Sequence, residues 1–146
     1  MASAWDNVMS SGVAVNDACV EIFQELKLRH KYKYIIFKMA DDLKEIVVEK
    51  SAEKAEYSDF LSELPESEPR YAIYDFEYEK PGEGLRSKII FYAWTPDTSK
   101  VRSKMLYASS KDALRRKLVG IAIEVQGTDL DEVDEETILE KAQRSA

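Results

Sequence analysis

The chain has 146 residues, the usual size of one domain, and its 45% hydrophobic and 34% charged composition is that of a folded globular protein rather than a disordered one. Five glycines and four prolines exclude a collagenous or linker-dominated chain, and a single cysteine excludes an internal disulfide. The net charge of −7 argues against nucleic-acid binding, which phosphate neutralisation by cations drives.

The first ten residues show no sustained period and are expected to form a flexible arm, leaving residues 11–146 as one folded domain. Val15-Asn16 reads as a helix entry with Asn16 as N-cap, and Cys19, Ile22, Phe23 and Leu26 follow at helical spacing. The lone Cys19 is thus expected in the core rather than as a nucleophile. Lys33–Met39 and Glu45–Val48 are β-rich runs around the turn signal Asp41-Asp42. Tyr57, Phe60, Leu61 and Leu64 are spaced for a short helix that ends at Pro65. Arg70–Tyr78 and Ser87–Trp94 flank the turn Pro81-Gly82-Glu83-Gly84 and form a second hairpin.

A long helix is expected to run to about Leu118, capped by Asp97 or Thr98, with Val101, Met105, Ala108, Leu114 and Leu118 as its apolar positions. The step from 108 to 114 breaks the helical rhythm at Ser109-Ser110, which predicts a bend there. Ile121–Val125 is a short strand. The acidic run Asp129–Glu136 leads into a last helix that buries Ile138, Leu139 and Ala142. Helix, hairpin, helix, hairpin, long helix, strand, helix is an α/β chain of the α+β type. It predicts a central mixed β-sheet of about five strands with helices on both faces.

The motifs of catalysis are missing. His30 is the only histidine, in the basic connector Lys27–Lys33, where a solvated loop residue is the simpler reading. No phosphate-binding glycine loop or nucleophile elbow occurs, and Asp129–Glu140 lacks the glycine of a calcium loop. No cofactor and no metal are expected, and a binding protein is the better class than an enzyme. No apolar run approaches the roughly 20 residues that span a bilayer, so an integral membrane protein is not expected. Charge is unevenly spread: residues 41–79 carry a net −9 and residues 80–118 a net +7. Such a block is either one basic surface aimed at an acidic partner or charge scattered over several faces.

The stretch W-T-P-D-T-S-K-V-R-S-K-M-L-Y-A-S-S-K-D-A-L-R-R, Trp94–Arg116, closely resembles the actin-depolymerising factor/cofilin family. Tyr71–Phe76 (YAIYDF), Ser87–Ile90 (SKII), Ser11-Gly12-Val13 and Gln126-Gly127-Thr128-Asp129 fit the same pattern, so the resemblance covers about residues 11–144. The arm before Ser11 is longer than is usual in that family. The basic nuclear-targeting string of its vertebrate members is interrupted here by Leu28, His30 and Tyr32.

The resemblance implies a monomeric cytoplasmic protein of the actin cytoskeleton. It implies binding to actin monomers and filaments with preference for ADP-bound subunits, filament severing and faster turnover. It also implies the ADF-homology fold. It places monomer and filament binding at Ser11, Gly12, Val13, Arg102, Lys104 and Met105. Filament-specific contacts fall at Arg86, Lys88, Glu140, Lys141 and Arg144. Ser11, with Ser10 beside it, becomes a regulatory phosphorylation site. Without the resemblance Met105 reads as core; with it, as an adaptable apolar contact ringed by cations. Phosphatidylinositol bisphosphate headgroups are a second expected partner. The alternatives are a coactosin-like filament side-binder that does not sever, and a phosphoinositide-binding module.

Overall fold

The computed structural model describes residues 12–145; Ser10, Ser11 and the expected arm 1–10 lie outside them. Six strands form one mixed sheet: β1 (Ala14–Val15), β2 (Tyr34–Met39), β3 (Glu45–Ala52), β4 (Arg70–Lys80), β5 (Gly84–Trp94) and β6 (Ile123–Gly127), in the order β1-β3-β2-β4-β5-β6. The helices are α1 (Asp17–Arg29), α2 (Tyr57–Ser62), α3 (Val101–Lys117) and α4 (Glu135–Arg144), with one 3₁₀ turn at Leu130–Glu132.

The sixth strand, β1, is the difference from the expected five. Its two residues carry no readable period; they are held because Ala14 N–H donates to Lys44 O and Asn16 N–H to Ile46 O, in parallel with β3. Both hairpins form, β2 with β3 and β4 with β5, and β2 joins them through β4. The strand β6 lies parallel to β5, which requires a crossover, and α3 provides it.

Strand alternation sorts the aromatics into two layers. Ile35, Phe37, Tyr71, Ile73, Phe91 and Ala93 pack with Cys19, Phe23 and Leu26 of α1 and Tyr107 and Leu114 of α3. Tyr34, Ala72, Tyr74, Phe76, Tyr92 and Trp94 pack on the other face with Tyr57 and Phe60 of α2 and Ile138 and Ala142 of α4. Helices therefore cover both faces. Gly127 is glycine for lack of room: a Cβ there would meet Val133 Cγ1 at 2.7 Å and the Trp94 ring at 3.2 Å. Among the described residues no helix is long and apolar enough to cross a membrane.

Local signals account for most ends. Asn16 caps α1, its side-chain oxygen accepting from Ala18 N–H at 2.9 Å, while its amide reaches the Glu45 carboxylate. Asp134 caps α4 through Thr137 N–H. The start of α3 corrects the sequence reading. Its N-cap is Lys100, without a side-chain cap, and neither Asp97 nor Thr98 serves. Thr98 Oγ1 instead donates to Glu66 O of the loop before β4, and the carbonyl of Asp97 accepts from Lys104 Nζ of the helix.

The apolar row of α3 also differs from expectation. Tyr107, Ser110 and Leu114 are buried, with Leu118 just beyond the helix, while Val101, Met105 and Ala108 face solvent. Steps of three and four through 107, 110, 114 and 118 are unbroken. The apparent break in rhythm came from reading exposed residues as core and a buried serine as surface. Helix α3 runs continuously from Val101 to Lys117.

Candidate protein-binding surfaces

Helix α3 is amphipathic in an unusual sense, because its solvent side carries large apolar groups. Val101 is 70% exposed and Met105 66%. At about 100° and 1.5 Å per residue, Met105 and Arg116 lie within about 20° of the same azimuth and about 16 Å apart along the axis. Met105, Ser109, Asp112 and Arg116 thus form one exposed stripe, with Val101 and Arg102 on either side of its first turn. Arg102 makes no ion pair among the described residues. Met105 is exposed and not core.

Lys104 is partly buried and differs from the expectation that it points freely outward. Its ammonium donates to Asp97 O at 2.9 Å and ties the loop before α3 to the helix. Val13, with Gly12 before it in the chain, comes to the far end of the same helix. Val13, Ala14 and Val15 share a groove with Ala113, Arg116 and Lys117. The predicted monomer-binding set within the described residues is therefore strung along one helix, with Arg102 and Met105 at its first turns and Gly12-Val13 at its last. Arg116 and Lys117 belong to this strip and were not singled out from sequence. Their signal was present in the Arg115-Arg116-Lys117 run, but only the docking of β1 shows what they face.

The second predicted set assembles on the opposite layer. Arg86 is exposed near the turn of the β4–β5 hairpin and pairs with Glu83 at 3.4 Å. Lys88, two residues on and on the same face, is partly buried. Its ammonium donates to Ala142 O at 3.3 Å, to Ser145 O at 2.9 Å and to Ser145 Oγ. It therefore caps the C-terminus of α4, a structural role that the reading as an open contact residue missed. Glu140 and Arg144 pair at 3.7 Å on the exposed side of α4, and Lys141 is exposed beside them. Lys88 thus joins the strand that carries Arg86 to the end of the helix that carries Glu140, Lys141 and Arg144.

His30 corrects its own reading in part. It is exposed, but it ends α1 in the left-handed conformation, and its Nδ1 lies 2.9 Å from Oδ2 of the buried Asp75. Cys19 is buried with its thiol on Ile46 O, and burial, with the nearby Glu45 charge, pushes the thiol up to about 11. Glu124 of β6 accepts from Lys111 Nζ and Arg115 Nε, both at 2.8 Å. Burial raises its carboxyl, but those two cations outweigh burial and hold it below the ordinary carboxylate range.

A mixed sheet between two helical layers, with an unpartnered cationic and apolar helix strip, defines a protein-binding module. Residues 12–143 match the family model described as cofilin/tropomyosin-type actin-binding protein. Cofilin of Mycosarcoma maydis is 56% identical over 94% of this chain and 99% of its own length. Cofilin of Saccharomyces cerevisiae is 55% identical over 93% of this chain and 96% of its own. The crystal structure of Streptomyces griseoflavus cofilin superposes with a TM-score of 0.87 at 54% identity, covering 92% of this chain and all of that one. The chain belongs to the cofilin/actin-depolymerising factor family of actin-binding proteins.

Proposed function

We propose that this protein binds both actin monomers and actin filaments, prefers ADP-bound subunits, and severs and depolymerises filaments in the cytoplasm. The observation that carries this reading is the exposed Val101 and Met105 pair beside Arg102 on α3, in a chain of an actin-binding family. A soluble helix normally turns such residues inward, and an exposed apolar group with a cation beside it is the composition of an interface hot spot. Monomer binding falls to Ser11, Gly12, Val13, Arg102, Lys104 and Met105. Filament-specific contacts fall to Arg86, Glu140, Lys141 and Arg144, with Lys88 supporting them from beneath. Two surfaces on opposite layers allow one molecule to touch two neighbouring subunits, and a wedge between subunits is the simplest physical route to severing.

Ser11 is the proposed regulatory site. Arg116 and Lys117, rather than Arg102, share a groove with Val13, Ala14 and Val15 at the described start of the domain. A phosphate there adds about −1.5 to −2 charges and repels an acidic partner. Stoichiometric phosphorylation at Ser11 is expected to lower actin affinity, and unchanged affinity would remove the switch.

The deciding experiment is co-sedimentation with ADP-actin together with imaging of single filaments. Filament binding with cuts along the filament length supports the reading. Filament binding without shortening and without monomer binding would make the protein a side-binder of coactosin type. One further observation favours anionic headgroups as an accessory ligand: Leu28 and Val119 are both exposed, and Lys27 Nζ donates to Val119 O, which brings the end of α1 to the Arg115-Arg116-Lys117 end of α3. Co-flotation with phosphatidylinositol bisphosphate vesicles, with and without actin, tests it.

A further inference from the structure

Leu43 stands at the tip of the β2–β3 turn in the left-handed conformation, φ 61°, and is 55% exposed. Glycine or asparagine adopts that backbone without the clash a leucine Cβ makes, and a polar residue suits the exposure. The turn is held firmly: Leu43 N–H donates to Ala40 O at 2.8 Å, Ala40 N–H to Glu45 O at 2.8 Å, and Lys44 N–H to Asp42 Oδ1 at 3.0 Å. A leucine that is both exposed and unfavourably placed in a rigid turn is an outlier from which function is inferred.

Its neighbourhood supplies the function. A cleft of about 330 Å³ separates the turn from α3. Met39, Leu43 and Leu106 give it apolar walls, and Lys38, Arg70 and Arg102 line it together with the carboxylates of Asp41 and Glu68. Arg70 is already engaged by Glu49 at 2.9 Å and Glu68 at 3.3 Å. Arg102 has no ion pair among the described residues, and it flanks the exposed Met105 stripe one turn away. The cleft is thus continuous with the strip read above as the actin-binding face, and Arg102, which neither Asp41 nor Glu68 of the lining pairs, suits an acidic partner.

We propose that the Leu43 turn is a second arm of that face, outside the α3 helix. An apolar side chain of the actin monomer enters the cleft between Leu43 and Leu106, and a carboxylate beside it pairs with Arg102. This rests on the actin-binding reading of α3.

The test uses Leu43→Gly and Leu43→Asn in the full chain, with wild type and Arg102→Ala as references. Thermal melts and affinity for fluorescent ADP-actin monomers are measured for each. Both Leu43 variants should melt at or above the wild-type temperature, because strain is relieved, and bind about tenfold more weakly, the effect of truncating one apolar hot-spot contact. The double variant Leu43→Gly/Arg102→Ala should lose less than the product of the single losses, because the two share one pocket. Weakened binding by Arg102→Ala with wild-type binding by both Leu43 variants overturns the second arm and leaves the α3 reading standing. A lower melting temperature in both Leu43 variants makes Leu43 a structural residue and also overturns it. Failure of wild type to bind actin overturns the α3 reading and this inference together.

Discussion

Cys19 and Lys88 show how much a single side chain's surroundings alter what its type implies. A thiol raised to about 11 by burial is almost entirely protonated at pH 8, and its sulfur is covered. Cys19 should therefore be inert to a disulfide reagent in the native protein and react only as fast as α1 opens. Labelling followed by absorbance, with and without urea, checks this; prompt native labelling would contradict it. Lys88 and Arg86 look equivalent in the sequence, two cations on one strand face. Lys88→Ala removes the donor to Ala142 O and Ser145 O and should cost about 1–2 kcal/mol, as loss of a charged cap does. Arg86→Ala removes only an exposed pair with Glu83 and should stay within about 0.5 kcal/mol. Melting curves separate the two, and Arg86→Ala alone is then the clean probe of filament binding: monomer affinity should be kept and filament co-sedimentation reduced.

Among the elements, α3 and β6 are joined by Glu124 with Lys111 and Arg115, a bridge from the long helix to the last strand. Because the folded carboxyl is held below its ordinary range, its contribution is present above the unfolded pKa of about 4.3 and is lost as pH falls through the folded value. For a partly exposed pair that contribution is about 0.5–1 kcal/mol. Glu124→Gln should lower stability by that amount at pH 7 and by nothing at the acid end. Urea unfolding of both proteins at several pH values measures the difference, and a pH-independent gap would refute the linkage. Tyr57 performs a similar joining task without charge: its hydroxyl donates to Val133 O at 2.6 Å and meets Tyr92 Oη at 3.0 Å, tying α2 to the segment before α4.

For the whole molecule, the arrangement of two surfaces on opposite layers turns a small domain into a bivalent binder. Arg102→Ala with Met105→Ala should leave the melting curve in place, since both side chains face solvent and neither holds another element. At about 2 kcal/mol for each true hot spot, about 4 kcal/mol together, monomer affinity should fall about a thousandfold, and filament binding with it. Titration of labelled ADP-actin monomers reads this directly. Near-wild-type affinity with a native melt would remove α3 from the interface.

The sequence by itself determined the element order, both hairpins, the capping of α1 by Asn16 and the family. Each rests on information local in the chain: hydrophobic period, turn residues, and a run of some twenty residues from Trp94 to Arg116. Tertiary structure decided the rest, because it depends on what meets across the fold. Val101 and Met105 have the same helical period as core residues, and only the packing of Tyr107, Ser110 and Leu114 against the sheet shows which side faces in. The two residues of β1 are strand only because β3 offers them a free edge. Lys88 and Arg86 differ only because the end of α4 arrives over one of them. Leu43 joins Arg102 only because the β2–β3 turn folds beside α3, a meeting of residues nearly sixty positions apart that no local pattern encodes.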